Sequence, residues 1–251
     1  MLKRVQGIVL RTTNYGETHV IVTIFSREGG KTALMARGAK KPKSPFGAAV
    51  QPFVESIFVF YQGRGMGSLN QADIIQSHRR LREDIFLNAR GSCMLELLDK
   101  LTEDQQASPA LYDLITFALG RMHEGEDGEA LQLLFETKML AVSGADPVLH
   151  ACVSCGDAEG EKTLSIRDGG ALCLSCASER ENEFFPRPKT IKVMRLFQQA
   201  QPERLGSITL HQETKKELQI ILDEYYQNYV GVTLRAKRFL QQLDNMEPPG
   251  S

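Results

Sequence analysis

Val5-Gln-Gly-Ile-Val-Leu-Arg-Thr-Thr13, then Asn14-Tyr-Gly-Glu17, then Thr18-His-Val-Ile-Val-Thr-Ile-Phe-Ser26 is the stretch on which the fold turns. Two runs rich in β-branched residues flank a cluster of turn formers, which reads as strand, turn, strand. The pattern continues outward. Residues 31–37 make a third run behind Arg27-Glu-Gly-Gly30, residues 53–62 alternate Val and Ile with Phe, and residues 68–77 follow the glycine turn Gly63-Arg-Gly-Met-Gly67. Five strands in so short a stretch predict a small closed barrel. The five-stranded Greek-key OB barrel is the commonest such solution for nucleic-acid work. An SH3-like barrel has the same number of strands, and periodicity alone does not choose between them.

After Arg80 the apolar period lengthens. Ile85, Phe86, Ala89, Cys93, Leu97 and Leu101 recur at steps of three and four, the mark of a helix. Ser108-Pro109 opens a second helix, with Ser at the N-cap and Pro at the first helical position. Residues 124–128 form an acidic loop. Leu131, Leu134, Phe135, Met139 and Val142 define a third helix, stopped by Gly144 and Pro147. Helical signals return at 189–199, run from Leu218 through Tyr229, and finish at 234–243. Pro248-Pro-Gly250 reads as a frayed tail. The expected class is α+β. Residues 1–80 form the barrel, 81–148 and 183–251 a helical domain in two parts, and 149–182 a cysteine module inserted between them.

The chain has 251 residues, 42% of them hydrophobic and 24% charged, which excludes a wholly disordered or collagen-like protein. No apolar run approaches the roughly 18 residues of a membrane span. The basic start, Lys3-Arg4, has no apolar segment behind it, so no signal peptide is expected. Five cysteines in such a chain suit a reducing cytoplasm better than a disulfide scaffold. The formal net charge of −1 conceals an asymmetry. Residues 1–80 carry 12 Lys/Arg against 4 Asp/Glu, a balance of +8, while the remainder carries 18 against 27, a balance of −9. The basic third suits a polyanion and the acidic remainder does not.

Cys152-Val-Ser-Cys155 and Cys173-Leu-Ser-Cys176 lie 17 residues apart, within the spacing window of a four-cysteine zinc site. Each Cys-x-x-Cys curls into a knuckle with both thiolates on one side, and two knuckles joined by a hairpin complete a tetrahedron. Gly169-Gly170 supplies the turn, with residues 163–166 and 171–172 as short strands. The alternatives are two disulfides or four unpaired thiols. Four cysteines close the metal's shell, so the zinc is expected to be structural. His150 could compete as a ligand but is not needed. Asp157, Glu159 and Glu161 read as a solvated loop, and Cys93, on the apolar stripe of the first helix, as a core thiol.

Arg37-Gly-Ala-Lys40-Lys41-Pro-Lys43-Ser-Pro45 is the densest positive segment, in a loop that its prolines keep from becoming helix. The functional reading is phosphate contact by Arg37, Lys40, Lys41 and Lys43; the alternative is a solvated loop. Lys31, Arg11 and Arg64 are further candidates for DNA contact. Tyr15, Phe46, Phe60 and Tyr61 are candidate base-stacking aromatics, although a small barrel needs most of its Phe residues inside. The glycine turn at 63–67 lacks the Lys-Ser/Thr of a P-loop and precedes a strand. No nucleophile elbow, metalloprotease helix or carboxylate pair is present, and the five histidines are scattered. Nothing in the chain proposes a catalytic step.

Gly7-Ile-Val-Leu-Arg11, Tyr15-Gly-Glu-Thr18, Gly30-Lys31 and Ala36-Arg-Gly-Ala-Lys-Lys41 together resemble the N-terminal barrel of the RecO family of bacterial recombination mediators. Gln51-Pro-Phe53 is similar to a tripeptide of that family. Phe135-Glu-Thr-Lys-Met-Leu140 running on to Cys152-Val-Ser-Cys-Gly156 resembles its helix-to-knuckle junction. Gly169-Gly-Ala-Leu-Cys173 and Leu234-Arg-Ala-Lys-Arg-Phe-Leu240 resemble later segments. The resemblance implies an OB-fold followed by a helical domain with an inserted zinc module. It implies a non-enzymatic protein of the bacterial cytoplasm and nucleoid that binds single- and double-stranded DNA and anneals complementary strands. It also implies help in loading RecA onto strands coated by single-strand-binding protein (SSB), with RecR and the acidic C-terminal tail of SSB as partners. One departure is His19, where the family pattern leads one to expect an acid. The rival readings are an RNA-binding or ribosome-associated zinc protein, a zinc-dependent nuclease or hydrolase, and an interaction scaffold.

Overall fold

The computed structural model describes residues 1–63, 65–180 and 184–246, without the side chains of Glu203, Asn245 and Met246. Arg64, residues 181 and 182 of the expected cysteine module, and the expected tail at Pro248–Gly250 lie outside the described residues. The elements run in the order β1 (Leu2–Tyr15), β2 (His19–Ser26), β3 (Gly30–Ala36), β4 (Glu55–Tyr61), β5 (Gly67–Gln76), α1 (Arg79–Glu83), α2 (Ile85–Leu101), α3 (Pro109–Glu124) and α4 (Gly128–Val142). Then come β6 (Lys162–Ser165), β7 (Gly170–Cys173), α5 (Leu174–Ser178), α6 (Pro188–Gln199), α7 (Gln212–Tyr225) and α8 (Arg235–Met246). No helix among the described residues is long and apolar enough to cross a membrane. Packing divides the chain into two compact units, one of Met1–Gly128 with the segment from Leu234 onward, the other of Glu129–Thr233. These limits differ from the boundaries expected at residues 80, 148 and 182, because α2 and α3 contact strands of the barrel and α8 packs on α2.

The first unit holds the closed barrel, with strand order β1-β2-β3-β5-β4. The choice that periodicity left open is made by a parallel pairing of β3 with β5, Leu34 opposite Gly67 and Met35 opposite Ser68. With β1 pairing to both β2 and β4, this is the OB-fold. Gly67 is required at the closure. A Cβ there would lie 2.7 Å from Leu34 Cδ2 and 3.0 Å from a Phe60 ring carbon. Val9, Val20, Val22, Ile24, Leu34, Phe58, Phe60 and Leu69 fill the interior. Each large side chain buried this way contributes about 1.5–3 kcal/mol. β4 begins two residues later than the alternation suggests, because Phe53 takes a left-handed φ of 70° and turns the chain before Glu55.

The helices of this unit start as their caps dictate. Asp84 accepts from the Phe86 and Leu87 amides to open α2, and Ser108 accepts from Leu111 N–H to open α3, with Pro109 at its first position. The single turn α1 was not expected, since five residues are too short for a period. Cys93, fully buried, packs with Ala89 and Leu240 between α2 and α8. The barrel is tied to these helices by ions. Arg27 makes two hydrogen bonds, 3.0 and 2.9 Å, to the Asp113 carboxylate, and the Tyr112 hydroxyl donates to Glu55 at 2.7 Å.

In the second unit, the Tyr226 hydroxyl donates to the Glu136 carbonyl on α4 at 2.7 Å, and Lys138 Nζ donates to the Gln198 carbonyl on α6 at 3.0 Å. Arg187, before α6, bonds Glu217 at 2.9 Å and also pairs with Glu213, both on α7. The helix expected to run to Tyr229 changes at Tyr225 into a π-type turn, Tyr226–Val230, closed by Gly231. This turn places the Tyr229 hydroxyl 2.5 Å from the Ile166 carbonyl beside the β6–β7 hairpin.

Candidate nucleic-acid interface and metal centre

The basic loop leaves β3 and turns at once. Lys41 N–H donates to the Gly38 carbonyl at 3.0 Å and Ser44 N–H to the Lys41 carbonyl at 2.9 Å, so two successive turns carry the lysines. Ala39 and Val50 are buried in the barrel core and Phe46 packs against it, which pins the loop at three points. The β1–β2 turn supports it from the other side. Lys40 N–H donates to the Thr18 carbonyl at 3.0 Å, and Gly38 N–H donates to His19 Nδ1 at 2.9 Å. His19, to which the sequence assigned nothing, therefore orients the first turn of this loop through an unprotonated Nδ1. Arg37, Lys40, Lys41 and Lys43 are all exposed, and among the described residues none has an ion-pair partner. Their charge stands toward solvent on a fixed backbone.

Lys31 and Arg11 sit differently. Lys31 Nζ donates to the carbonyls of Asp99 and Thr102 at 2.7 and 2.8 Å and lies 3.5 and 3.6 Å from the Asp99 and Asp104 carboxylates, with its side chain only 13% exposed. Arg11 Nε bonds the Asp99 carboxylate at 2.7 Å. Both cations are spent on the C-terminal turn of α2, where unpaired carbonyls attract positive charge. Asp99 was missed as their counter-ion, and no local signal could have found it. Of the aromatics, Phe60 is buried and Phe46 half-buried, while Tyr15 and Tyr61 are exposed.

The cysteines converge as their spacing demanded. The four Sγ atoms of Cys152, Cys155, Cys173 and Cys176 lie within 4.8 Å of one another, and His150 is not in the group. Gly156 N–H donates to the Cys152 carbonyl at 2.8 Å, which closes the first knuckle. β6 and β7 pair from Lys162–Cys173 to Ser165–Gly170, and Cys173 at the end of β7 leads into α5, which carries Cys176. Val153 N–H donates to the Ala171 carbonyl at 2.8 Å and docks the first knuckle on the hairpin. A metal at about 2.3 Å from four tetrahedral sulfurs needs S–S edges of about 3.8 Å. Cys155 and Cys173 are 3.8 Å apart.

Electrostatics points the same way. Burial disfavours the Cys152 thiolate, but backbone N–H groups of Cys155, Cys173 and Ser154 outweigh it and bring that thiol down to about 6. Cys176 is pushed up to about 12, first by the sulfur of Cys173 beside it. Four sulfurs this close cannot all ionise without a cation among them. A divalent soft ion resolves the conflict by taking all four as thiolates. The donor set therefore fits a closed, four-coordinate metal.

Comparison with known proteins accords with this architecture. The family described as "Recombination protein O N terminal" matches residues 1–78, and "Recombination protein O C terminal" matches residues 82–238. The chain is 42% identical over 247 residues to the DNA repair protein RecO of Bacillus pumilus (strain SAFR-032), covering 98% of this chain and 96% of the relative. It is 43% identical to DNA repair protein RecO of Bacillus cereus (strain AH187) and of Bacillus anthracis, covering 98% of this chain and the whole of each relative. An OB barrel with a fixed basic loop, a four-cysteine cluster in the following region and family matches along nearly the whole length lead to one conclusion: the chain belongs to the RecO family of DNA repair proteins.

Proposed function

We propose that this protein is a DNA-binding recombination mediator that anneals complementary strands and helps load RecA onto SSB-coated single-stranded DNA. The observation that carries the reading is the basic loop, four exposed cations on a backbone fixed to an OB barrel. Phosphates of single- or double-stranded DNA meet Arg37, Lys40, Lys41 and Lys43 without regard to sequence. Cys152, Cys155, Cys173 and Cys176 hold one zinc ion, which supplies folding energy to the second unit and leaves no position open for water. No step is chemical: the protein positions strands. RecR and the C-terminal tail of SSB are its protein partners, and the bacterial cytoplasm, at the nucleoid, is its place of action.

The test is annealing of complementary strands coated with SSB, with and without the protein. Faster annealing that weakens as salt rises supports the reading. No acceleration under any salt condition overturns it. Stronger binding to RNA than to DNA of the same sequence would instead point to a 2′-hydroxyl reader.

A further inference from the structure

Pro188, Ile191, Lys192 and Arg195 recur at steps of three and four along α6, so they share one face of that helix. With Gly160 and Lys162 they line a crevice of about 50 Å³ in the second unit. Lys162, the first residue of β6, is only 7% exposed. Its Nζ donates to the Glu159 carbonyl, and among the described residues no carboxylate or sulfur bonds it. A buried ammonium with no counter-ion is costly. Two further cations stand on the helix side. Arg195 is exposed and has no ion-pair partner among the described residues. Lys192 faces one carboxylate, that of Glu161, at 4.0 Å, with both side chains more than half exposed. So solvated a pair scarcely cancels its own charges. α6 itself carries no acidic residue.

We infer that this crevice is an oxyanion site, in which Lys162, Lys192 and Arg195 together hold one phosphate dianion, either inorganic phosphate or a terminal phosphomonoester. Size limits the occupant. A water needs about 10–15 Å³ of such space, so the crevice takes one tetrahedral group with its oxygens. Pockets for whole small molecules run to about 300–1,000 Å³, so a nucleotide's base and sugar stay outside. Charge selects within that size. A phosphomonoester carries about −1.5 to −2 at neutral pH and three terminal oxygens, which matches three cations on one crevice. An internal phosphodiester of a strand offers one charge and two free oxygens. Lys162, fixed by burial and by its carbonyl bond, supplies the floor, and the guanidinium of Arg195 supplies a planar fork at the rim. The site lies on the second unit and does not depend on the barrel or its basic loop.

The experiment is calorimetric titration of the full chain with inorganic phosphate at constant ionic strength, with chloride and acetate as controls. One phosphate should bind per chain. Arg195→Ala, at an exposed position that leaves the fold intact, should weaken it roughly tenfold or more, the worth of a charge-assisted hydrogen bond. Lys162→Met, which keeps the apolar stem and removes the ammonium, should do the same. The Lys40, Lys41 and Lys43 triple alanine variant should bind phosphate as the parent does. A second arm compares one oligonucleotide with a 5′-phosphate and with a 5′-hydroxyl. Tighter binding of the phosphorylated form, lost in Arg195→Ala, identifies a DNA end as the source; equal binding of the two leaves free phosphate. Heat no different from that of chloride or acetate, undiminished phosphate binding in Arg195→Ala, or binding abolished by the triple variant would each overturn the site. Failure of the annealing reaction would overturn the proposed function and leave this site standing.

Discussion

His78 donates its Nδ1 proton to the carbonyl oxygen of Phe53 at 2.8 Å, and both residues hold left-handed backbone, with φ of 44° and 70°. Phe53 stands just before β4 and His78 just after β5, so the bond closes the base of that hairpin where the barrel passes into α1. Two non-glycine residues in this region cost about 1–2 kcal/mol each. The surroundings hold them there. Phe53 N–H and Val9 C=O bond at 3.2 Å, and the Phe53 ring faces Gly91 on α2, where a Cβ would come within 2.8 Å of it.

Burial, ahead of any charge, lowers the pKa of His78 from 6.5, and the approach of His123 and Arg82 adds to it. Below 6.5 the unfolded chain takes up a proton that the folded His78 refuses. Stability should therefore fall as pH drops through that window and level off below the folded value. His78→Asn tolerates the left-handed backbone and does not titrate. Urea unfolding at pH 8, 6.5 and 5.5 should show a smaller loss in this variant than in the parent. Parallel pH curves for the two proteins would refute the assignment.

Lys31 is expected to act as an anchor between β3 and the end of α2. Removing it in Lys31→Ala leaves the carbonyls of Asp99 and Thr102 without their charged donor and should cost about 1.5–3 kcal/mol in chemical denaturation. Lys41→Ala, at an exposed position without an ion-pair partner, should stay within about 0.5 kcal/mol of the parent. A Lys31→Ala protein of normal stability but reduced salt slope in DNA binding would return Lys31 to the phosphate contacts.

Elemental analysis should find one zinc per chain, lost in Cys155→Ser. Because metal binding is folding energy, the variant and the chelator-treated parent should both unfold at lower temperature. DNA affinity, assigned above to the barrel as a proposal, should change little. Iron with visible absorbance in place of zinc, or protein purified without chelators that holds no metal, would contradict the site as proposed.

Changing Lys40, Lys41 and Lys43 together to alanine should weaken binding to every DNA by a similar factor. Each lost phosphate contact removes about 0.7–0.9 from the slope of log affinity against log salt, so three contacts flatten it by about two or more. The fold should survive, since Ala39, Phe46 and Val50 fix the loop and are untouched. A wild-type slope in the triple variant would identify a merely solvated loop.

The strands of the barrel, the helix starts at Ser108-Pro109 and the cysteine knuckles were legible in the chain itself. Each is written in residues a few positions apart: a period of two, a cap beside its proline, or thiols three residues apart on one turn. Spacing also showed where positive charge gathers. It could not show which cations are spent. Lys31 meets Asp99 across 68 residues and Arg11 meets it across 88, and only the folded chain brings them together. The same holds for the parallel closure of β3 on β5 and for α8 returning to α2. A local period says which side of an element is apolar and nothing about which distant element covers it. The partner is selected by shape and charge once the loops have closed, as at Gly67, where the absence of a single carbon lets Leu34 and Phe60 meet the fifth strand.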